Sequence, residues 1–343
     1  MLKFRLPQVW ALALLFFLCT TFSNHVAAQQ QTPSPTPTPT ATPEERFDPA
    51  KEAGSPAKNT GTAAPDEKPV PTAASPFERL EWRSIGPANM GGRTADVEGV
   101  AGDPNIVYVG TASGGIWKTT NGGQTWRPIF ERQGTISVGD IALEPKNPEV
   151  VWVGTGESNV RNSVSFGDGV YKSTDGGKTW RHMGLRDTRH ISRIVINPRN
   201  PDVVYVGALG HAFGANDERG VFMTTDGGRT WTKTLYLDTE HGISDLDIDP
   251  VNPNVLYAGV WNFRRTPWTH RSGSERGGVF KSIDGGRTWN RLTTGLPKLI
   301  GRIGVKVAPS SPNIVYAITE SKDGTLYRSD DAGDNWRRVS NQA

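Results

Sequence analysis

The sequence predicts an all-β chain, a β-propeller of four-stranded antiparallel blades, on three observations. An eight-residue motif recurs five times, as Thr119–Trp126 (TTNGGQTW), Ser173–Trp180, Thr224–Trp231, Ser282–Trp289 and Ser329–Trp336 (SDDAGDNW). Its third positions, Asn121, Asp175, Asp226, Asp284 and Asp331, are spaced by 54, 51, 58 and 47 residues. A second series keeps step upstream of each copy: Pro104–Gly110, Pro148–Gly154, Pro201–Gly207, Pro253–Gly259 and Pro312–Ile318. Apolar residues alternate in short runs, and the 39 Gly and 25 Pro punctuate them too often for helices. The third copy shows four strand signals, at Ile191–Ile196, Val203–Ala208, Gly220–Thr224 and Trp231–Leu235. Repeats of about fifty residues with four strands each are propeller blades, because radial stacking buries both faces of every small sheet.

The N-terminus has its own logic. Lys3 and Arg5 precede an apolar stretch from Val9 to Leu18, and Val26-Ala27-Ala28 places small residues before Gln29. This reads as a signal peptide over 1–28, and the apolar run is too short for a spanning helix. The expected location is therefore exported, periplasmic or extracellular, with no membrane span after cleavage. Cys19 is the sole cysteine and follows Leu18 rather than a small residue, which argues against lipidation. The mature chain then has no disulfide and depends on packing and hydrogen bonds. Residues 29–76 carry 11 prolines and one aromatic, Phe47, a composition that cannot bury enough apolar surface to fold. We expect a disordered Pro/Thr-rich linker there, acting as an extended tether.

Residues 77–343 form the propeller, with blades at about 88–130, 135–183, 189–236, 241–293 and 299–339. In the first four copies of the motif, Gly-Gly supplies positive φ for the turn between the third and fourth strands, and the fifth copy has Ala332-Gly333 there. The Asp side chain accepts N–H bonds from that turn, and Ser/Thr hydroxyls hold its flanks. Trp126, Trp180, Trp231, Trp289 and Trp336 then pack into the blade interfaces. These residues resemble the Asp-box, or bacterial neuraminidase (BNR) repeat. In proteins that carry it the box is structural, and Asn121 keeps the acceptor oxygen without the charge, as a structural role permits. The longer pattern, Asn-Pro-x-Val-Val-Tyr-Val-Gly followed by Gly-Val-Tyr-Lys-Ser-Thr-Asp-Gly-Gly, is similar to secreted bacterial propellers grouped with the sortilin N-terminal (Vps10-like) domain. Sialidase and xyloglucanase propellers are more distant likenesses.

Leu80–Ile85 resembles the outer strands near Trp126 and Trp180. Blade five nevertheless has its own outer strand at Asn335–Val339, so that N-terminal strand is not needed to complete it. The reading preferred from sequence is the N-terminal part of a ring of six to eight blades; the alternative is a closed ring of five.

Ligand-face loops are long and polar in blades two to four, and long loops on a rigid scaffold are where binding usually sits. Blade two contributes Glu157, Asn159, Arg161, Asn162 and Asp168. Blade three contributes His211 and Arg219, and blade four contributes Trp261, Arg264, Arg265, Trp268 and His270. Asp140, Arg193 and Asp245 each stand five residues before a strand-ending proline, which places an Arg between two Asp at one depth in the channel. That arrangement reads either as a mutually neutralising ring or as an anchor, through Arg193, for a carboxylate or sugar. The loop from Trp261 to Gly278 combines stacking surface and planar donors.

Several functions are excluded. Lys and Arg number 38 against 35 for Asp and Glu, and two of the cations lie in the leader, so the mature chain lacks the basic surplus of a nucleic-acid binder. No HExxH, paired Cys, Walker loop or GxSxG occurs, and the histidines lack metal-ligand spacing; no cofactor or metal is expected. The xyloglucanase resemblance implies a catalytic Asp in Thr-Asp-x-Gly-Gly, but the matching stretch is Thr111-Ala112-Ser113-Gly114-Gly115, with Ala112 at that position. The expected function is thus a non-catalytic propeller binding a peptide, protein or glycan on its loop-rich face. The alternative is a glycoside hydrolase, sialidase- or xyloglucanase-like, or the N-terminal fragment of one.

Overall fold

The computed structural model describes residues 93–159 and 161–340. The leader, the tether and the strand expected at Leu80–Ile85 lie outside the described residues. Twenty-one strands and one short 3-10 helix, Arg186–Thr188, make up the regular structure of these residues. Blade one comprises β1 (Thr94–Val100), β2 (Asp103–Thr111), β3 (Ile116–Thr119) and β4 (Arg127–Pro128). Blade two comprises β5 (Val138–Glu144), β6 (Asn147–Thr155), β7 (Val170–Ser173) and β8 (Arg181–His182). In blade three the strands are β9 (Ile191–Ile196), β10 (Val204–Ala208), β11 (Gly220–Thr224) and β12 (Thr232–Leu235). Blade four holds β13 (His241–Ile248), β14 (Leu256–Arg265), β15 (His270–Ser272), β16 (Gly278–Ser282) and β17 (Asn290–Arg291). Blade five holds β18 (Ile303–Val307), β19 (Val315–Thr319), β20 (Leu326–Ser329) and β21 (Arg337–Arg338). Each blade is an antiparallel meander in chain order, with β15 added as a hairpin partner of β14.

The core lies between blades. Tyr108, Ile116 and Phe130 of blade one meet Val138, Ile141 and Tyr171 of blade two in one buried cluster. Trp152 and Val170 meet Ile191, Ile194 and Val206 in the next. Blades three and four, and four and five, share clusters of the same kind. The innermost strands pack in chain order, β1 on β5, β5 on β9, β9 on β13 and β13 on β18.

One register position sets the spacing of the blades. Asp96, Asp140, Arg193 and Asp245 pair across their sheets with Gly110, Gly154, Gly207 and Gly259. Each glycine is where the next blade's inner strand lands. A Cβ there would come within 2.6 Å of Val138 for Gly110, 2.3 Å of Ile191 for Gly154 and 2.8 Å of Ile243 for Gly207. Blade five breaks the pattern, since Gly304 pairs with Ile318.

The five blades form an open arc. Among the described residues no packing comparable to that between successive blades returns β18 to β1. Val97, the counterpart of the fully buried Ile141 and Leu246, is 56% exposed, and Ile318 is 60% exposed. The closed five-blade ring is therefore not the arrangement of the described residues.

Candidate functional site

The channel-side position in β1, β5 and β13 is an Asp because each carboxylate ties its blade to the next. Asp96 Oδ2 accepts from Ile141 N at 2.9 Å, Asp140 Oδ2 from Ile194 N at 2.7 Å and Asp245 Oδ2 from Val305 N at 2.9 Å. Arg193 cannot accept the equivalent bond from Leu246 N, so Asp245 Oδ1 takes it at 2.9 Å. The guanidinium of Arg193 instead spans both neighbours, with Nη1 to Asp140 Oδ1 at 3.1 Å and Nε to Asp245 Oδ1 at 2.9 Å. Burial works against the Arg193 charge, but Asp140 and Asp245 more than offset it and hold the group above its ordinary value. Burial also pushes Asp140 well above the usual carboxylate range, against the pull of Arg193. One residue pair further along β1, Glu98 is pushed up to about 7 by burial and by Asp96, against Arg193 and Lys306.

A cavity of about 490 Å³ opens over this ring, lined by Asp96, Asp140, Arg193, Asp245, Arg302 and Glu320. Glu320 accepts from Ser272 Oγ at 2.5 Å and from the Arg302 N–H at 3.0 Å. The Arg302 guanidinium lies over the Trp261 ring, 5.6 Å from its centroid. Donors and acceptors of both signs thus converge on one open volume.

The ligand-face loops divide sharply. Glu157, expected to face a ligand, is fully buried: both its oxygens accept from Arg93, at 2.6 Å each, and its carbonyl accepts from His190 Nδ1 at 2.8 Å. That placement corrects the expectation, because an unpaired carboxylate at this depth would be untenable. Asp168 accepts from the Tyr171 hydroxyl at 2.8 Å and from Arg186 at 3.3 Å, and His211 Nε2 bonds the Asp187 carbonyl at 2.9 Å. Both residues serve the loop scaffold. Arg219 is also buried, its guanidinium donating to the carbonyls of His211, Gly214 and Glu240. Val164, Leu209, Ala212, Trp261 and Phe263 form a small apolar core beneath the loops. Arg265 Nε donates to Asn162 Oδ1 at 2.7 Å, joining the loops of blades two and four. Arg264 is half-buried and Arg161 exposed. Trp268, at the tip of the β14–β15 hairpin, is 82% exposed.

The boxes lie at the turns between the last two strands of each blade. In blade two, Asp175 Oδ1 accepts from Thr179 N at 2.9 Å and from Ser173 Oγ at 2.7 Å, and Oδ2 accepts from Thr179 Oγ1 at 2.6 Å. These bonds, the Thr179 hydroxyl first, hold Asp175 down at about 2. Asp226, Asp284 and Asp331 repeat the pattern. Asn121 Oδ1 accepts from Thr125 N at 2.9 Å in the same way. Trp180 and Trp231 donate their indole N–H to the carbonyls of Ile129 and Met183 in the preceding blade, and Trp289 reaches Thr234 Oγ1. The Trp336 ring is buried, and its backbone N–H donates to Thr294 O. Among the described residues no group of three or more His, Cys, Asp or Glu could hold a metal ion, and no helix is long and apolar enough to cross a membrane.

Sequence reasoning missed Asp96, Glu98, Arg302 and Glu320. The proline ruler that found Asp140, Arg193 and Asp245 fails for Asp96, because the residue five positions later is Ala101, in the turn between β1 and β2. Arg302 and Glu320 reach the cavity from the ends of β18 and β19, which only the curvature of the arc brings there.

The sheets, the repeated turns and the inter-blade core define the class: an all-β propeller built on Asp-boxes. The model of the BNR/Asp-box repeat matches residues 171–182. Similar curated proteins are a xyloglucanase of Paenibacillus sp, 23% identical over 73% of this chain, and the xyloglucanase Xgh74A of Acetivibrio thermocellus, 26% identical over 60%. The chain spans 26% of the length of each. Among solved structures, an ancestral GH74 enzyme superposes with a TM-score of 0.55 at 22% identity, covering 73% of this chain and 31% of that one. The GH74 enzyme of Niastella koreensis gives 0.54 at 23% identity, covering 71% and 37%. These structures share the propeller fold with this chain.

Proposed function

We propose that the five blades form the glycan-binding part of an exported glycoside hydrolase of the xyloglucanase type. The observation that carries this reading is the cavity of about 490 Å³ in which Arg193 and Arg302 face Asp96, Asp245 and Glu320. A neutral sugar chain offers donors and acceptors to match such a lining, whereas an anion would meet more carboxylates than arginines. The likeness to curated xyloglucanases supports the same ligand class.

Cleavage of a glycosidic bond needs two carboxylates flanking it. Asp96, Asp140, Asp245 and Glu320 all accept hydrogen bonds from the fold itself. Ala112, where the xyloglucanase resemblance places a catalytic Asp, is buried, and its N–H donates to the Arg93 carbonyl at 3.0 Å. In this reading the described residues bind the glycan and do not complete its hydrolysis. Titration calorimetry of the leader-cleaved protein with xyloglucan oligosaccharides, cello-oligosaccharides and an unrelated peptide panel tests the proposal, alongside mass spectrometry of the sugars. Saturable binding of xyloglucan oligosaccharides, weakened by Arg302→Ala, is expected without product formation. Binding of peptides alone would overturn the ligand class, and robust turnover would overturn the assignment of catalysis elsewhere.

A further inference from the structure

Asn121-Gly122 is the only Asn-Gly pair in the sequence, and it falls in the turn of the first box. Asn followed by Gly is prone to ring closure, because a glycine with no Cβ lets its main-chain nitrogen approach the side-chain amide before it. The other four boxes carry Asp at this position. Gly also follows Asp175, Asp226 and Asp284, but there the hydroxyls of Thr179, Thr230 and Thr288, with the other box donors, hold each carboxyl below its usual range. A carboxylate anion is a poor electrophile, whereas the neutral amide of Asn121 is a competent one.

In the folded box each reacting group is engaged elsewhere. Gly122 N donates to the Asn105 carbonyl at 3.1 Å. Asn121 Oδ1 accepts from Thr119 Oγ1 and from Thr125 N, at 2.9 Å each, and Nδ2 donates to Thr125 Oγ1 at 3.0 Å. Ring closure would have to break all of these bonds. The box Trp clamps this turn loosely, since Trp126 is 39% exposed against 6% for Trp336. Local opening costs least where the least surface is buried.

We propose that Asn121 is a self-deamidation site that its own box holds closed and that reacts when blade one opens locally. Gly122 N gives its proton to hydroxide and bonds to Asn121 Cγ. The Cγ–Nδ2 bond then breaks, and the amide nitrogen leaves as ammonia with a proton taken from water. A second water opens the cyclic imide. Cleavage between Cγ and the ring nitrogen leaves Asp at 121, to which the Thr125 hydroxyl can donate as that of Thr179 does to Asp175. Cleavage between the main-chain carbonyl carbon and the ring nitrogen leaves isoaspartate, which lengthens the turn by an extra backbone atom and cannot rebuild the box.

Peptide mapping by mass spectrometry of the leader-cleaved protein, incubated in mildly alkaline buffer, reads the conversion at Asn121 against a synthetic Thr119–Trp126 peptide. The native protein reacts at least about tenfold more slowly than the peptide, and denaturant below the unfolding transition speeds it. Thr125→Val removes the partner of Nδ2 and raises the native rate severalfold, with hydrogen exchange in the other blades unchanged. Chromatography separates the Asp and isoaspartyl products, and only the Asp form keeps the melting temperature of the Asn121→Asp variant. Equal rates in the native protein and the peptide show that the box does not hold the site, and an unreactive peptide shows that there is no site. Either result overturns the proposal.

Discussion

His190 is buried, its Nδ1–H donates to the Glu157 carbonyl, and burial lowers its pKa to about 4. The unfolded chain takes up this proton near pH 6.5, so the stability His190 confers is complete above that pH. It is lost as pH falls toward 4, by up to about 3 kcal/mol. Glu98 has the opposite sign. Its pKa is raised to about 7, so the folded state holds a proton that the unfolded state releases, and stability falls as pH rises through that window. Urea denaturation between pH 4.5 and 7.5 separates the two: His190→Gln leaves a profile that declines toward neutral pH, and Glu98→Gln steepens the decline toward acid. At the surface, the Trp268 side chain is largely exposed. Trp268→Ala shifts unfolding free energy by less than about 0.5 kcal/mol while weakening glycan affinity in the same calorimetric titration. Arg265→Ala, by contrast, also frees the blade-two loop from its Asn162 tie.

The strands owe their spacing to the paired glycines. Gly154 leaves room for Ile191, and a Cβ at 2.3 Å from Ile191 Cγ2 forces the two blades apart. Gly154→Ala costs about 1–3 kcal/mol by overpacking, and adding Ile191→Ala recovers part of that loss, a non-additivity read by chemical denaturation. Since both faces of a blade are covered by its neighbours, the penalty is felt at an interface and not within one sheet. Box turns behave differently, because their bonds are local. Asp175→Asn retains the Oδ1 acceptor that Asn121 uses naturally and lowers the melting temperature less than Asp175→Ala does.

Taken together, the five described blades form an arc whose ends differ from its middle. Val97 on β1 and Ile318 on β19 are exposed although their strands carry the same alternation as the buried ones. Exposed apolar residues at a sheet face attract other apolar surface. Ile318→Ser reduces binding of an apolar dye and leaves the melting temperature close to that of the parent, since the residue contributes little burial as it stands. Unchanged dye binding would mean that another surface accounts for it. The same curvature that leaves the ends bare gathers Arg302 and Glu320 beside Asp96 and Arg193, which are distant in sequence.

The repeat was legible because its signals are local: Gly-Gly at positive φ, the Asp acceptor and the Trp anchor each act within a few residues of their own turn. The Asp140–Arg193–Asp245 ring was legible too, since equal offsets from a proline mean equal depth in adjacent blades. Burial of Glu157 under Arg93, the tie of Arg265 to Asn162 and the convergence on the cavity were decided only in the tertiary structure. Those contacts join residues tens of positions apart through loop conformations that no periodicity encodes. A carboxylate in a polar loop reads the same whether it faces solvent or a buried guanidinium, and only the packing of one blade's loop over another's tells them apart.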